Sequence, residues 1–367
     1  MRKRDLVYTK HSRHFNAPAF FTSMGISMLI TLATFLPLFF HFGLTAPLPQ
    51  GDTNYGPSSY PDPAPCYGNV SWIHDPSIIY DDGTYWRFST SGDIAVATAP
   101  SIKGPWTYKG SVLPGGTKIL VAPDQDIWVC TLISTLTVQD ANGVQAPSIS
   151  KFDDTYYIHY SVSTIGSQAS QIGLTTSTSL SGPWTDHGSL NLPLSPTYNL
   201  IDPFVFQDSP SDPLHFIFGS YWSGIQQFSL PSHDRLMALD GSLTRSEDIG
   251  TLITNSTAGA AVVEGGTMYK NDKFYFLFFS VGACCNTPPN LAAPGDEYRV
   301  AVCRSESVTG PYVDRDGRSC KDQNGGTTVL ASHGDVYAPG GQGVMKLGDG
   351  KDGGREVMYY HYGEYKC

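Results

Sequence analysis

Three acidic residues sit where carboxyl groups can do acid–base chemistry. Asp75 lies in Trp72-Ile73-His74-Asp75-Pro76-Ser77, Asp202 in Ile201-Asp202-Pro203-Phe204, and Glu264 in Val263-Glu264-Gly265-Gly266. Each opens a turn in front of a short apolar and aromatic run. Carboxyl groups held among apolar neighbours can be driven to different protonation states, so that one takes a proton as a base and another gives one as an acid. A lone Asp-Pro is most often an ordinary turn. Three acids at one place in a repeated unit form a candidate site.

The repeat that must position them has a period of about 55 residues. Ile78-Ile79 leads into Thr84-Tyr85-Trp86-Arg87-Phe88, and Ala146-Pro147-Ser148-Ile149 into Thr155-Tyr156-Tyr157-Ile158-His159-Tyr160. Ile201-Asp202-Pro203-Phe204 leads into Leu214-His215-Phe216-Ile217-Phe218, and Glu264-Gly265-Gly266 into Phe274-Tyr275-Phe276-Leu277-Phe278. Ala338-Pro339-Gly340-Gly341 leads into Glu356-Val357-Met358-Tyr359-Tyr360. Three units also share a phrase: Gly104-Pro105-Trp106, Gly182-Pro183-Trp184 and Gly310-Pro311-Tyr312. A short sheet cannot bury both faces alone, whereas five stacked around an axis share one core. The expected fold is therefore all-β, a five-bladed β-propeller. The opening turns would then share one level beside the axis and bring the three acids together.

Composition agrees with that class. Charged residues make up 15% and aromatics 12%, with 38 Gly and 26 Pro, a turn-rich β pattern. A net charge of −10 argues against nucleic acid and is compatible with a weakly charged polymer such as a polysaccharide. Nothing implies a protein partner, and a monomer is expected. Arg2, Lys3, Arg4, Lys10 and Arg13 precede an apolar run from Met24 to Leu44. Residues 1–46 read as a cleaved secretory signal or an N-terminal anchor, residues 47–65 as a Pro/Gly-rich linker, and 66–367 as the propeller. Either route puts the main domain outside the cytosol, secretion being the first reading, and makes the sequons at Asn69 and Asn255 usable. Seven cysteines are present. Cys303 and Cys320 flank a turn-rich stretch that a disulfide can bridge; of the adjacent Cys284 and Cys285 at least one should pair elsewhere, with Cys66 as one choice. No zinc-ligand spacing occurs.

The three acidic motifs resemble those of glycoside hydrolase family 43. Tyr160-Ser161-Val162-Ser163-Thr164 with Gly166-Ser167-Gln168 is similar to its fungal endo-1,5-α-L-arabinanases, and the likeness runs from Cys66 to Tyr362. The resemblance implies endo-hydrolysis of α-1,5-linked arabinan with inversion, with Asp75 as general base, Glu264 as general acid, and Asp202 tuning the pKa of Glu264 and orienting it. Inversion needs two carboxyl groups about 6.5–9.5 Å apart with water between. Trp72, Trp86, Trp128, Tyr221 and Trp222 are candidates to stack on sugar rings, and His74 and Ser163 to hydrogen-bond sugar or acids. The alternatives are an exo-acting arabinofuranosidase or β-xylosidase, which needs a pocket rather than a groove, and a non-catalytic glycan-binding propeller.

The chain departs from that family in four places. Ser148 stands where an Asp is common. Some relatives hold calcium through a His in Gly-Pro-Gly-His; Gly341 stands there here, so calcium is possible but no cofactor or metal is expected to be essential. Gly363-Glu364-Tyr365 can be encoded with a donor-like splice sequence, so read-through and a missing closing segment are expected at the C-terminus. Finally, Val129 to Gln145 separate Trp128 from Ala146-Pro147. Removing these 17 residues shortens the Pro76–Pro147 spacing from 71 to 54, close to the 56 between Pro147 and Pro203. Val129-Cys130 requires a GT-initial codon and Gln145 can be CAG, as at splice junctions. The segment is expected to be translated intron rather than a surface loop, although long loops cost little. Sequencing the spliced transcript should show Trp128 joined to Ala146; codons for Val129 to Gln145 in the mature message would defeat this expectation.

Overall fold

The computed structural model describes residues 6–11, 60–120, 144–163, 168–221, 223–232, 249–254, 262–284, 286, 290–348 and 354–364. Its named elements are all strands. They form four four-stranded sheets and one of three strands. The first sheet is β2 (His74–Asp81), β3 (Thr84–Thr90), β4 (Ala95–Ala99) and β5 (Thr107–Ser111); the second is β6 (Val144–Phe152), β7 (Thr155–Ser163), β8 (Ser170–Ser177) and β9 (Thr185–Ser189). The third is β10 (Phe204–Phe206), β11 (Leu214–Phe218), β12 (Ile225–Leu230) and β13 (Gly250–Ile253); the fourth is β14 (Val263–Asn271), β15 (Phe274–Val281), β16 (Arg299–Ser305) and β17 (Thr327–Leu330). The last pairs β18 (Val336–Lys346) with β19 (Glu356–Glu364), and β1 (Leu6–His11) lies parallel to β19. β1 falls in the segment expected to be a targeting sequence.

Local chemistry explains the hairpins. β2 and β3 are joined at Asp82-Gly83, both in the left-handed region (φ 43° and 79°), the backbone that a two-residue hairpin turn demands. Asp153 and Asp272 take the same conformation in the β6–β7 and β14–β15 turns. Lys151 on β6 reaches back to Asp81, and Lys270 on β14 to Asp208, so equivalent cations brace neighbouring sheets near this level. The three Gly-Pro-aromatic phrases form equivalent turns, each with a cis peptide at Gly-Pro.

Each sheet packs its face on the next. Phe88 and Val96 meet Ile158, Tyr160 and Val162 between the first and second sheets. Tyr157, Ile172 and Leu174 meet Phe216 and Phe218 between the second and third, and Ile217 and Ile225 meet Leu277 and Phe279 between the third and fourth. Val300 and Leu330 meet Val336, Tyr360 and Tyr362; Ile78 and Tyr85 meet Val357 and Tyr359, which brings the last sheet back to the first. The arrangement is that of a β-propeller, as expected. Tyr60 packs against the last sheet, and Cys66 and Val70 against the first. Arg87, almost fully buried, stacks over Trp106 and donates to the backbone and side-chain oxygens of Asn69, while Asn69 itself is exposed.

Cys303 and Cys320 are joined in a disulfide. The possible pairing of Cys66 with Cys284 is not seen: Cys284 is disulfide-bonded, and Cys66 lies beside Arg87.

His159 on β7 is a buried polar exception. Its ring meets Phe216 edge-on at 5.3 Å, and neither ring nitrogen has a hydrogen-bond partner. Burial drives its pKa down to about 3. The unfolded chain binds this proton near the ordinary value of 6.5, so the stabilisation is present above that pH and is lost as pH falls toward 3. The loss accumulates at about 1.4 kcal/mol per pH unit. His159→Leu should therefore show a shallower fall in melting temperature than wild type between pH 6.5 and 4; parallel curves would show that this histidine does not set acid stability.

Candidate active site

The site is built from the turns that open the sheets. Register fixes their equivalence: Ser77 pairs with Phe88, Ser148 with His159, Phe204 with Ile217, Thr267 with Phe278 and Gly343 with Tyr359. Two residues earlier in each sheet stand Asp75, Ala146, Asp202, Gly265 and Gly341, and all five are left-handed, with φ of 44°, 43°, 52°, 64° and 54°. The backbone N–H of each is taken by a neighbour. Thr90 Oγ1 accepts from Ala146 at 2.8 Å, Ser161 Oγ from Asp202 at 3.0 Å, and Ser280 Oγ from Gly341 at 3.2 Å. Asp202 Oδ2 accepts from Gly265 at 3.0 Å, and His361 Nδ1 from Asp75 at 3.1 Å. The turns line an axial cavity that includes Asp75, Ser148 and Asp202.

This register corrects the expected alignment. Asp75 and Asp202 are equivalent, but Glu264 is one residue early and matches His74. The fifth turn is Gly341-Gln342, not Ala338-Pro339. β18 carries two register shifts, so Ala338, also left-handed, sits one step further out and gives its N–H to Ser332 Oγ.

The acids nevertheless face one another, and their environments differ. Asp75 Oδ2 receives His74 Nδ1 at 2.7 Å and Thr90 Oγ1 at 2.9 Å. Burial opposes its ionisation, but the His74 charge and these hydrogen bonds outweigh it and hold Asp75 well below the usual carboxylate range. His74 is raised in turn: burial works against its charge, and Asp75 and Glu264 overcome that. Glu264 is pushed up to about 7, chiefly by burial, with the Asp75 charge adding and the Tyr298 hydroxyl, 2.8 Å from Oε1, opposing. Asp202 is also raised, by burial and then by Glu264 and Asp75. Two buried carboxyls that repel each other retain a proton between them at a pH where Asp75 is ionised. The arrangement supplies a base and an acid together.

The expected substrate residues divide. His74 is in the site. Tyr221, next to Val263 and within the field of Glu264, is 38% exposed, and Trp72 is 39% exposed; both are left-handed, at φ 66° and 63°. Ser163 is buried on the same face of β7 as Ser161. Trp86 is not at the site, since it packs into the core between the first two sheets. Trp128, Trp222 and the sequon Asn255 lie outside the described residues. Thr90, Tyr298 and His361 were missed. Their signal was faint: Thr90, Ser161, Ser280 and His361 share one register position on the second strand of their sheets.

Among the described residues His74, Cys284 and His361 place donor atoms within 4.8 Å of one another. They do not make a metal centre. Cys284 is disulfide-bonded and offers no thiolate, His361 Nδ1 is taken by Asp75 N–H, and calcium calls for oxygen ligands. Where some relatives carry a metal-binding His, a Cβ on Gly341 would stand 2.6 Å from His361 Nδ1 and 2.7 Å from Asp75 Oδ1.

A propeller whose axial turns hold an ionised carboxylate beside two carboxyls that share a proton has the groups that a glycoside hydrolase needs. The chain belongs to glycosyl hydrolases family 43, which residues 129–367 match. It is 42% identical over 308 residues to arabinan endo-1,5-alpha-L-arabinosidase A of Aspergillus aculeatus, covering 83% of this chain and 85% of that protein. It is 42% identical over 330 residues to the probable arabinan endo-1,5-alpha-L-arabinosidase A of Aspergillus terreus, covering 88% and 90%. Its fold is similar to the GH43 endo-arabinanase from Bacillus licheniformis, with a TM-score of 0.60 and 27% identity over 81% of this chain and 96% of that one. It is also similar to an exo-1,5-alpha-L-arabinanase from a bovine ruminal metagenomic library, with a TM-score of 0.59 and 26% identity over 76% and 85%.

Tyr298 offers a direct check on the acid. Its hydroxyl favours the ionised form of Glu264. Tyr298→Phe should raise the Glu264 pKa and move the alkaline limb of the pH–rate profile upward from about 7. A downward or absent shift would mean that another group sets that limb.

Proposed function

We propose that the chain is a secreted, five-bladed enzyme that cleaves α-1,5-linked arabinan internally with inversion. Ionised Asp75 takes a proton from a water, whose oxygen attacks the anomeric carbon. Glu264 gives its proton to the departing glycosidic oxygen, and the C–O bond breaks. Each carboxyl group ends in the other's starting state, and exchange with solvent restores both. Asp202 shares this buried setting, and its repulsion with Glu264 keeps a proton on the pair until it is needed.

One observation carries the reading: Asp75 is surrounded by donors while Glu264 and Asp202 are buried with few, so neighbouring acids start on opposite sides of a proton transfer. The sequence relatives named above carry endo-acting names, which supports internal cleavage. Trp72 and Tyr221 are partly exposed aromatic residues of the kind on which furanose units stack. The exo-acting reading is kept in view by the metagenomic arabinanase that shares the fold.

Both readings meet one experiment. Linear arabinan treated with the chain should yield mixed oligosaccharides first, whereas arabinose alone would establish exo action. Glu264→Gln should lose about 10²-fold or more of turnover, as expected for removal of a general acid, while retaining arabinan binding. Undiminished hydrolysis would remove Glu264 from the acid role.

A further inference from the structure

We propose that His361 is a positioning residue that sets the carboxylate of Asp75. The inference rests on the reading of Asp75 as the base. At the other junctions the acceptor is a small hydroxyl, Thr90, Ser161 or Ser280, or the carboxylate of Asp202. Only the junction that returns the last sheet to the first uses an imidazole, and it is the junction that carries Asp75.

The ring does what a hydroxyl cannot. His361 Nδ1 accepts the Asp75 N–H at 3.1 Å and so holds the left-handed turn from which the carboxylate projects. Its face lies on His74, with ring centroids 3.8 Å apart and planes 23° apart. His74 in turn binds Asp75 Oδ2 at 2.7 Å. Main chain and carboxylate of Asp75 are therefore both referred to one buried ring. An Nδ1 that accepts an N–H leaves the ring proton on Nε2, and the face of the ring packs on His74. Space for the ring exists because Gly341 has no side chain: a Cβ there would come within 2.6 Å of it.

Amide substitutions separate positioning from bulk. The oxygen of Asn can replace Nδ1 as acceptor, whereas that of Gln reaches toward the Nε2 position. His361→Ala and His361→Gln should lower kcat by about 10²-fold, the scale of a misplaced reacting group, with KM for linear arabino-oligosaccharides within about twofold of wild type. His361→Asn should recover about tenfold of that loss. Melting temperatures and circular dichroism establish the folded fraction to which kcat is referred; if Ala does not fold, the Asn–Gln contrast still decides. Equal kcat for Asn and Gln, or wild-type kcat per folded molecule in all three, would overturn the inference. Asp75→Ala, assayed alongside, keeps the two ideas apart. An active Asp75→Ala refutes the base assignment, whereas an inactive one with unimpaired His361 variants refutes only the role of His361.

Discussion

The fold and the chemistry depend on one repeated constraint: a left-handed turn at the inner start of each sheet whose N–H must find an acceptor on a neighbour. A buried N–H without a partner costs about 1–3 kcal/mol. That penalty, met at five places, ties the sheets around an axis. The conformation selects residues as well. Gly takes it freely and Asp with modest difficulty, whereas Ala146 pays about 1–2 kcal/mol for it. A carboxylate at such a turn is thus a good structural choice before it is a catalytic one. At the third junction the two roles merge. Gly219 stands where its counterparts carry a hydroxyl or the His361 ring, and Asp202 itself takes the Gly265 N–H. An acid so placed is turned toward Glu264 by the backbone that closes the ring.

Differences in protonation follow from differences in donors. Asp75 has an imidazole and a hydroxyl on one oxygen. Thr90 serves twice there, donating to Asp75 and accepting the Ala146 N–H, so Asp75 is fixed to the next sheet as well as to its own. Glu264 has one hydroxyl, from Tyr298, whose ring approaches because Gly340 has no side chain to block it. Burial is common to all three acids and raises them all. What separates Asp75 from Glu264 is the supply of positive charge and donors: His74 brings both to Asp75 and only its charge to Glu264.

Much of this was legible in the sequence because hairpins and aromatic strands repeat with plain markers. Asp-Gly turns, alternating apolar faces and the Gly-Pro-aromatic phrases define the sheets, and the Asp-Pro pairs mark two inner turns. The fifth turn was misplaced because Ala338-Pro339 looks like Ala146-Pro147, while bulges in β18 move the working turn to Gly341. Glu264 was set level with Asp75 because composition shows an acid near a turn but not which side of the left-handed residue it occupies. Thr90, Ser161, Ser280 and His361 were harder still. Their role depends on register across a hairpin and then on contact with another sheet, and no local pattern distinguishes them. Tyr298 was hidden among twenty-one tyrosines.

His361 and Gly341 are best understood as a pair. The ring occupies volume that any side chain at 341 would need, and a Cβ there would also crowd the Asp75 carboxylate. A chain that carries a side chain at that turn must therefore shrink or move the residue at 361. Conversely, the bare glycine at the turn leaves room that the His361 ring occupies, and the ring covers one face of His74. The imidazole answers both needs, filling the gap and accepting the N–H. Asp75 thus inherits its geometry from a compensating exchange of volume between the last two strands of the ring.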